Sequence, residues 1–177
     1  LFAFYFQISM QAQKDNLHFQ HLSIDNGLSH NTVRCIIQDH EGFIWIGTED
    51  GLNRYDGYEF KVFRNNPYDS SSISDNFIEY LFEDSNNNLW IGTNSGGLNR
   101  YLRATGNFSN YQHNKNDTNS LSSNRINTIC ENSDGKLWIA TYFGLNIFDP
   151  GSEKFQRIIP SKHFQIKKAD NHINSIL

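Results

Sequence analysis

The sequence has few of the residues that mark several common protein classes. Only 2 of its 177 residues are Cys, too few for a disulfide framework or, by themselves, for a zinc site. Charged residues make up 19% and the net charge is -4, so the basic surface that nucleic-acid binding requires is missing. No apolar run approaches the roughly 18 residues of a membrane helix. These absences argue against a disulfide scaffold, a DNA-binding module and a membrane bundle.

Proline is also scarce, with 3 residues, whereas aromatic residues reach 14% and there are 23 Asn. Disordered chains show the opposite bias, because they are rich in Pro and charge and poor in aromatic side chains. Without the periodic Gly and Pro of collagen or a sustained heptad, the composition indicates a folded globular domain.

The chain opens with a short apolar run and turns polar at Gln11. This pattern fits the apolar core of a secretory signal, and we interpret residues 1–14 as a signal remnant and leader, with Ala12 as the candidate cleavage position. The alternative is a buried N-terminal strand. Because the initiating Met and a basic segment are missing at one end and the other end stops within a repeat, we expect a fragment of a longer protein.

Internal repetition is the strongest signal in this sequence. All 3 Trp lie in one motif, in which Leu or Ile precedes Trp, and Ile, Gly or Ala, and Thr follow it. The copies occupy residues 44–48, 89–93 and 137–141. An alternating apolar run and a polar turn precede each copy, Gly-Leu-Asn follows it, and a fourth copy begins at Asn171.

Each repeat is predicted to form four short strands, because β-branched and aromatic residues alternate with polar ones between Gly, Asn and Asp turns. In the first repeat the predicted strands are 33–38, 43–48, 52–55 and 59–63. Four strands in about 45 residues are typical of a β-propeller blade. We therefore predict an all-β fold of four-stranded antiparallel blades, with blade 1 over residues 31–75, blade 2 over 76–123, blade 3 over 124–170 and the start of blade 4 over 171–177.

Three blades cannot close a ring, and an open ring leaves strand edges bare. A ring of about seven blades needs on the order of 300 residues at this period. Residues 15–30 contain a segment, 18–22, with the pattern of an outermost strand. We predict that this strand joins a last blade beyond residue 177 and so ties the two ends of the ring together.

Residues that recur at the same offset in every repeat are interpreted as structural. Trp offers a large area for packing one blade against the next, and Gly permits close approach. Asp39, Asp84 and Asp134 lie near the first hairpin turn, where Asp can bond its own backbone. We interpret them as turn residues rather than as acids or metal ligands.

Residues that differ between repeats are better candidates for function, since variable loops on a rigid frame often carry it. The turns between the second and third strands and the long links between blades are predicted to share one face. The links, residues 65–75 and 114–124, are rich in Asn, Asp and Ser. The candidate ligand-binding residues at the turn tips are Glu49, Asp50, Asn94, Ser95, Tyr142 and Phe143. The aromatic pair could stack on a sugar while Asn and Asp bond its hydroxyls; the alternative is that all are solvated turns.

No catalytic, metal or cofactor site is predicted. The sequence has no Gly-x-Ser-x-Gly elbow, phosphate loop or His-Glu-x-x-His motif. The charged and amide residues on the first strands, Arg34, Glu79, Arg125 and Asn127, are too mixed to indicate one site. Cys35 and Cys130 fall in blades that are not neighbours and are interpreted as small core residues.

The repeat, Asn-x-Val/Ile-x-x-Ile, then Asp-x-x-Gly-x-Leu/Ile-Trp-Ile-Gly-Thr and Gly-Leu-Asn-Arg-Tyr, resembles the two-component regulator propeller family. Residues 19–33 are similar to the start of its sensor region, and residues 116–124 to a link between blades. The departures are Ala140 in place of the motif Gly and the additional residue of Gly96-Gly97 in the second blade. The family motif is structural, so the resemblance assigns no binding residue.

The resemblance implies the N-terminal part of a periplasmic sensor of Bacteroidetes hybrid two-component systems. Its relatives carry two seven-bladed propellers, a β-sandwich linker, a membrane helix and then a cytoplasmic histidine kinase, a receiver and often a DNA-binding domain. We therefore expect a chain that is not itself an enzyme, senses an oligosaccharide and regulates glycan-use genes. Its expected partners are the oligosaccharide, the remaining blades and modules of the same protein, and a second copy in a homodimer; no nucleic acid is expected to contact it.

Two other classes of function remain open. A propeller enzyme could resemble streptogramin lyase, which has similar Gly-x-x-Trp repeats, or an Asp-box glycosidase, which residues 133–138 faintly match. Such an enzyme should converge His, Arg or carboxylates on the axis of the ring. The third alternative is a protein-binding scaffold.

Overall fold

The computed structural model describes residues 20–158. The proposed signal remnant, residues 18 and 19 of the predicted N-terminal strand, the end of the third repeat and the start of the fourth lie outside this range. Residues 20–22, the rest of the predicted strand, are described and do not belong to a strand. Twelve strands and one short 3-10 turn, Ile24–Asn26, account for the regular structure of the described residues. No helix among them is long and apolar enough to cross a bilayer.

The strands form three separate antiparallel sheets of four strands, each a simple meander in chain order. The first sheet contains β1 Val33–Gln38, β2 Ile44–Thr48, β3 Gly51–Tyr55 and β4 Phe60–Phe63. The second contains β5 Ile78–Glu83, β6 Leu89–Thr93, β7 Leu98–Leu102 and β8 Asn107–Tyr111. The third contains β9 Ile126–Glu131, β10 Leu137–Thr141, β11 Gly144–Asp149 and β12 Lys154–Ile158.

The first strands of the sheets lie side by side, with β5 against β1 and β2, and β9 against β5 and β6. This arrangement makes the three sheets blades of a β-propeller, as the repeats predict. The strands predicted for the first repeat are confirmed to within one residue at their starts. Phe43 precedes β2 because its backbone N–H donates to the side chain of Asp39 in the turn (2.9 Å).

Two hydrophobic cores lie between the blades rather than inside them. Trp45 joins the first core, in which its ring centroid is 4.9 Å from that of Tyr101 in blade 2. Trp90 joins the second, 5.4 Å from Phe148 in blade 3. Both indoles are fully buried. The prediction that the repeated Trp packs each blade against the next is confirmed for these two junctions.

The motif Gly supplies the space for this packing. A Cβ on Gly47 would lie 2.6 Å from Cγ2 of Ile78, and one on Gly92 would lie 2.6 Å from Cγ2 of Ile126. Real Cβ atoms do not approach other carbons so closely, so Ala at either position would push the next blade away. Glycine therefore stands in the second strand because a β-branched residue of the next blade packs directly on it.

The first hairpin turn needs one residue in the left-handed region, and the three blades supply it differently. Gly42 and Gly135 have φ of 89° and 74°, and Asn87 occupies the same place with φ of 63°. Asn tolerates this conformation better than most residues because its short amide can bond locally. The same turn thus forms in all three blades although its sequence varies.

The acid of this turn does more than close it. The Asp39 carboxylate accepts from the indole N–H of Trp45 at 2.7 Å, and Asp84 accepts from Trp90 at 2.8 Å. In the third blade Asp134 lies in the turn as predicted, but it does not occupy the position of Asp39 and Asp84. Asn132 occupies that position and accepts from the backbone N–H groups of Asp134 and Lys136. In all three blades the side chain at the first position of the turn, Asp39, Asp84 or Asn132, accepts from the backbone N–H four residues later.

A second polar network ties each link to the blade that follows it. The backbone N–H of Ser29 donates to the buried side chain of Asn53, and Ser74 and Ser122 donate likewise to Asn99 and Asn146. This explains the Asn in every Gly-Leu-Asn. Each buried Asn side chain finds its hydrogen-bond partner in the link, and this bond fixes the position of the link. The repeated Asn residues are therefore structural too.

Candidate functional site

The turns between the second and third strands stand beside the links that enter the next blade. The first residue of each tip donates its backbone N–H to the carbonyl just before the first strand, as in Asn94 to Phe77 (3.0 Å) and Tyr142 to Arg125 (3.0 Å). The Gly before Leu-Asn in each repeat lies at or just before the start of the third strand. In blade 2 this Gly97 donates its backbone N–H to the carbonyl of Asn124, at the end of the following link (2.9 Å). Tips and links are therefore held together as the repeats predict.

A groove of about 410 Å³ opens between the tips of blades 2 and 3. It lies within the size range of small-molecule sites. Its lining residues are Asn94, Ser95, Ser123, Asn124, Arg125, Tyr142 and Phe143. Four of the six residues predicted as candidates thus meet in one place, although they are separated by about one full repeat in sequence.

Aromatic and cationic surface forms one wall of the groove. The rings of Tyr142 and Phe143 meet edge to face, with centroids 4.7 Å apart and planes at 88°. The guanidinium of Arg125 lies 5.6 Å from the centre of the Tyr142 ring, within the range of a cation–π contact. The Phe143 side chain is 64% exposed. This wall offers a flat apolar face beside a hydrogen-bond donor.

The opposite wall is polar and is shaped by the additional glycine of blade 2. The backbone N–H and the hydroxyl of Ser95 both donate to Asp75, at 2.8 and 2.7 Å. Gly96 fits against Ser74, where no side chain would. The sequence departure at Gly96-Gly97 therefore lengthens the tip, and Ser95, bonded to Asp75, lines the groove.

The remaining candidates, Glu49 and Asp50, do not line this groove. Asp50 instead forms an ion pair with Arg64 (3.2 Å) and accepts from the side-chain amide of Asn76 (3.1 Å). Asp50 thus links its tip to the neighbouring link. The structure separates the blade 1 tip from the other two, which sequence reasoning had grouped together.

Sequence reasoning missed the relation between the charges on the first strands. Glu79 pairs with Arg34 at 3.0 Å and lies 3.7 Å from Arg125, so one carboxylate stands between two guanidinium groups of neighbouring blades. Arg34 and Glu79 occupy β-bulges at the same position of their strands. A bulge re-aims the side chain it carries. Arg34 and Glu79 each lie three residues after an Asn, Asn31 and Asn76, so an alignment of the repeats could have revealed that they are neighbours.

The described residues hold no group of three or more His, Cys, Asp or Glu that could bind a metal. Both thiols are free, and burial raises the pKa of Cys35 to about 12, so its thiolate is not formed near neutrality. Burial also raises the pKa of Cys130. The lining of the groove offers hydroxyl, amide, guanidinium and aromatic groups for contact with a ligand.

Residues 27–50, 72–95 and 120–143 match the model of the two component regulator propeller family. The chain is 50% identical over 74 residues to histidine kinase P4 of Formosa agariphila; this stretch is 42% of the chain and 5% of that protein. The matched segments coincide with the end of each link, the first strand and the Trp strand.

Among solved structures, the chain is similar to the extracellular domain of the hybrid two component system BT3049 from B. thetaiotaomicron, with 36% identity and a TM-score of 0.73. This match covers 78% of the chain and 20% of that domain. A second extracellular domain, from BT4673 of the same organism, matches with 29% identity and a TM-score of 0.64 over 84% of the chain and 19% of that domain. The chain thus spans about a fifth of these solved relatives.

A virginiamycin B lyase from Staphylococcus aureus has the same fold at 16% identity, with a TM-score of 0.54 over 73% of the chain and 42% of that enzyme. At this level of identity the likeness concerns the propeller architecture alone.

Proposed function

The chain is built from two component regulator propeller repeats, and from this we propose that it is the N-terminal part of a periplasmic sensor propeller that binds an oligosaccharide. The site is the groove between the tips of blades 2 and 3. The observation that carries the proposal is the meeting of exposed Phe143 and its neighbour Tyr142 with hydroxyl and amide groups of another blade. A pyranose presents an apolar face and a polar rim, which such a surface matches.

Signalling would follow from differential affinity. The groove is shared by two blades, so a ligand that bridges them favours the blade arrangement in which both walls are in contact with it. The remaining blades and the membrane and kinase modules of the whole protein would pass that preference to the cytoplasm and to transcription of glycan-use genes. A homodimer would allow the change to be read as altered contact between two copies.

The test uses the complete exported region of the protein and a panel of oligosaccharides, measured by thermal shift and calorimetry. A ligand that binds the native state raises the Tm in proportion to the logarithm of its concentration above the Kd. We expect one class of oligosaccharide to do so. A turnover product from any panel member would instead favour the enzyme alternative.

Two variants locate the site once a ligand is found. Phe143→Ala should weaken binding about tenfold or more, because truncating an exposed aromatic anchor removes its contact area. Tyr58→Ala is the matched control, since Tyr58 is 94% exposed and lies in the turn between β3 and β4 of blade 1, away from the groove. Equal affinity of the Phe143 variant and wild type would show that the ligand binds elsewhere.

A further inference from the structure

The two long links have the same fold, which allows them to be compared position by position. In the link of residues 65–74, Ser72 bridges the backbone N–H and carbonyl of Asn66 through its hydroxyl. In the link of residues 113–122, Ser120 bridges Asn114 in the same way. Each link curls its carbonyl groups toward the outermost strand of the following blade.

In blade 3 this curl is filled by a guanidinium group. Arg157 of β12 donates through Nε to the carbonyl of Ser120 (2.9 Å) and through Nη2 to the Ser120 hydroxyl (2.8 Å). The same Nη2 also lies within bonding distance of the carbonyls of Leu121 (2.9 Å), Asp117 (3.0 Å) and Asn114 (3.3 Å). We define these acceptors as the cradle of blade 3, and their counterparts 48 residues earlier as the cradle of blade 2: the hydroxyl of Ser72 and the carbonyls of Asn66, Asp69, Ser72 and Ile73. The link that enters blade 3 thus curls around the guanidinium group of Arg157.

In blade 2 the residue at the matching position is shorter. Asn146 pairs with Arg157 in blade 3, and Asn99 pairs with Asn110 in blade 2, so Asn110 stands where Arg157 does. The Asn110 amide reaches the carbonyls of Ser70 (3.1 Å) and Ser72 (3.0 Å) at the near side of the curl. It carries no charge and bonds the carbonyl of Ser72, the counterpart of Ser120. The carbonyl of Ile73, the counterpart of Leu121, accepts from the side-chain amide of Asn65 (2.8 Å).

A groove of about 660 Å³ opens at this place. Its lining contains two carboxylates, Asp69 and Glu153, and otherwise Asn, Ser, Gln, Pro, Phe and Tyr, with no Lys or Arg. Glu153 bonds Arg100 (2.9 Å) and the hydroxyl of Tyr111 (2.8 Å) and remains 51% exposed on its side chain. Asp69 is held at the loop by the N–H and hydroxyl of Ser71. Carbonyl oxygens and carboxylates are the partners that a planar cation with several N–H donors requires.

We infer that the cradle of blade 2, beside Asn110, binds a guanidinium-bearing ligand, taking from outside the group that Arg157 supplies within blade 3. The guanidinium enters between the link and β8 and donates to the link carbonyls, with Asp69 supplying the opposite charge. The site lies on the outer side of the blade and is separate from the groove between the tips, so the inference does not depend on the proposed function.

The probes are N-acetyl-L-arginine amide and its neutral isostere N-acetyl-L-citrulline amide, added to the complete exported region. The arginine compound should bind and shift NMR or fluorescence signals near the link, and the citrulline compound should bind at least about tenfold more weakly, because it lacks the charge. Free L-arginine separates the two sources of the group: binding of both arginine compounds indicates a small-molecule ligand, and binding of the blocked amide alone indicates an arginine within a peptide.

Variants test whether the cradle holds the probe. Asn110→Arg supplies the group in cis and should abolish binding, with circular dichroism showing that the fold is retained. Asp69→Asn keeps the loop bond to Ser71 and should weaken binding about tenfold. The reverse change, Arg157→Asn, should lower the Tm, and N-acetyl-L-arginine amide should restore part of the loss while the citrulline compound does not.

The inference is overturned if arginine and citrulline compounds bind alike, or if Asn110→Arg, folded, binds the arginine compound as wild type does. Failure of rescue in Arg157→Asn would also contradict it, because the cradle of blade 3 would then not accept an external guanidinium. None of these results bears on oligosaccharide binding between the tips.

Discussion

The junction between blades 1 and 2 and the junction between blades 2 and 3 share an apolar plan but differ at their polar end. In both, a buried Trp meets aromatic residues of the next blade and an Ile packs on a motif Gly. In both, a Glu at the end of the next blade's first strand accepts from the turn: Glu83 from the N–H of His40 (2.9 Å) and Glu131 from that of Ser85 (2.8 Å). The repeated residues thus account for the shared part.

The first junction adds an ion network. Arg103 of blade 2 reaches across to Asp39 (2.9 Å) and Glu41 (2.7 Å) of blade 1 and also pairs with Glu83 of its own blade (2.7 Å). Burial alone would raise the pKa of the Asp39 carboxyl, but hydrogen bonds from Trp45, Arg103 and the Phe43 N–H outweigh it and leave the pKa below its ordinary value. Asp39 therefore remains ionised although its side chain is fully buried.

At the second junction a neutral side chain, rather than a cation, donates to the buried acid. The amide of Asn88 donates to both oxygens of Asp84, at 3.1 and 2.9 Å, where blade 1 has Phe43 and an arginine from its neighbour. The comparison shows that the Trp–Asp bond is common to both junctions, whereas the group that balances the acid is local to each. Stability should therefore depend mainly on the apolar contact, and sensitivity to charge mainly on the first junction.

The largest effect is expected from the shared contact. Trp45→Ala and Trp90→Ala should each lower the free energy of unfolding by about 3–5 kcal/mol, the usual cost of truncating a buried Trp. Urea unfolding of the complete exported region measures it. Phe at either position, which keeps a ring but removes the indole donor, should cost less. A much smaller loss at one position would mean that the two junctions do not share their main support.

The next largest effect should distinguish the polar ends of the two junctions. Arg103→Ala leaves Asp39 buried without its cation and should cost about 3 kcal/mol, as removal of one partner of a buried pair does. Asn88→Ala removes a neutral donor and should cost about 1 kcal/mol. The difference between the two midpoints in urea is the measurement. Equal losses would indicate that the network at the first junction contributes no more than a neutral bond.

A smaller effect concerns the glycine that admits the next blade. Gly92→Ala should destabilise by about 1–3 kcal/mol through overpacking against Ile126. Combining it with Ile126→Ala, which removes the obstructing Cγ2, should cost less than the sum of the two single changes. Strict additivity would show that the two positions do not press on each other.

The smallest effect is the dependence on acid. Because the folded-state pKa of Asp39 lies below the unfolded value of about 3.9, its contribution is present above about pH 4 and is lost as the pH falls through the folded value. Arg103→Gln removes a cause of the lowered pKa, so the stability of this variant should fall less between about pH 5 and pH 2. A wild-type profile that matches the variant would contradict the assignment.

Much of the blade could be predicted from the sequence because its determinants repeat within a window of one blade. Alternation and turn residues set the strands to within one residue, and the recurrence of Trp45 and Gly47 identified them as packing residues. Asp134 lies in its turn as predicted, but the sequence did not show which polar side chain of that turn accepts the backbone hydrogen bonds. Asn132 and Asp134 stand two positions apart, and the structure shows that Asn132 is the acceptor.

The candidate site was predictable in part. Tyr142, Phe143, Asn94 and Ser95 were identified as variable tips, and the structure brings them together. The exclusion of Asp50 depends on the register of β3 and β4, in which Leu52 stands opposite Phe63 and Arg64 therefore comes beside Asp50. The oligosaccharide that the groove is proposed to bind remains a prediction.

The four-stranded repeat and the residues that stack one repeat on the next can be derived from the chain alone, because both follow periods short enough to recognise along it. Which blades exchange charges, and where space is left between link and strand, follows from the three-dimensional arrangement of the blades. Glu79 forms its ion pairs with Arg34 and Arg125 across two blade junctions. Arg157 and Asn110 differ in length where each meets the link that enters its blade. Such meetings depend on the rotation between neighbouring blades, which no single repeat contains.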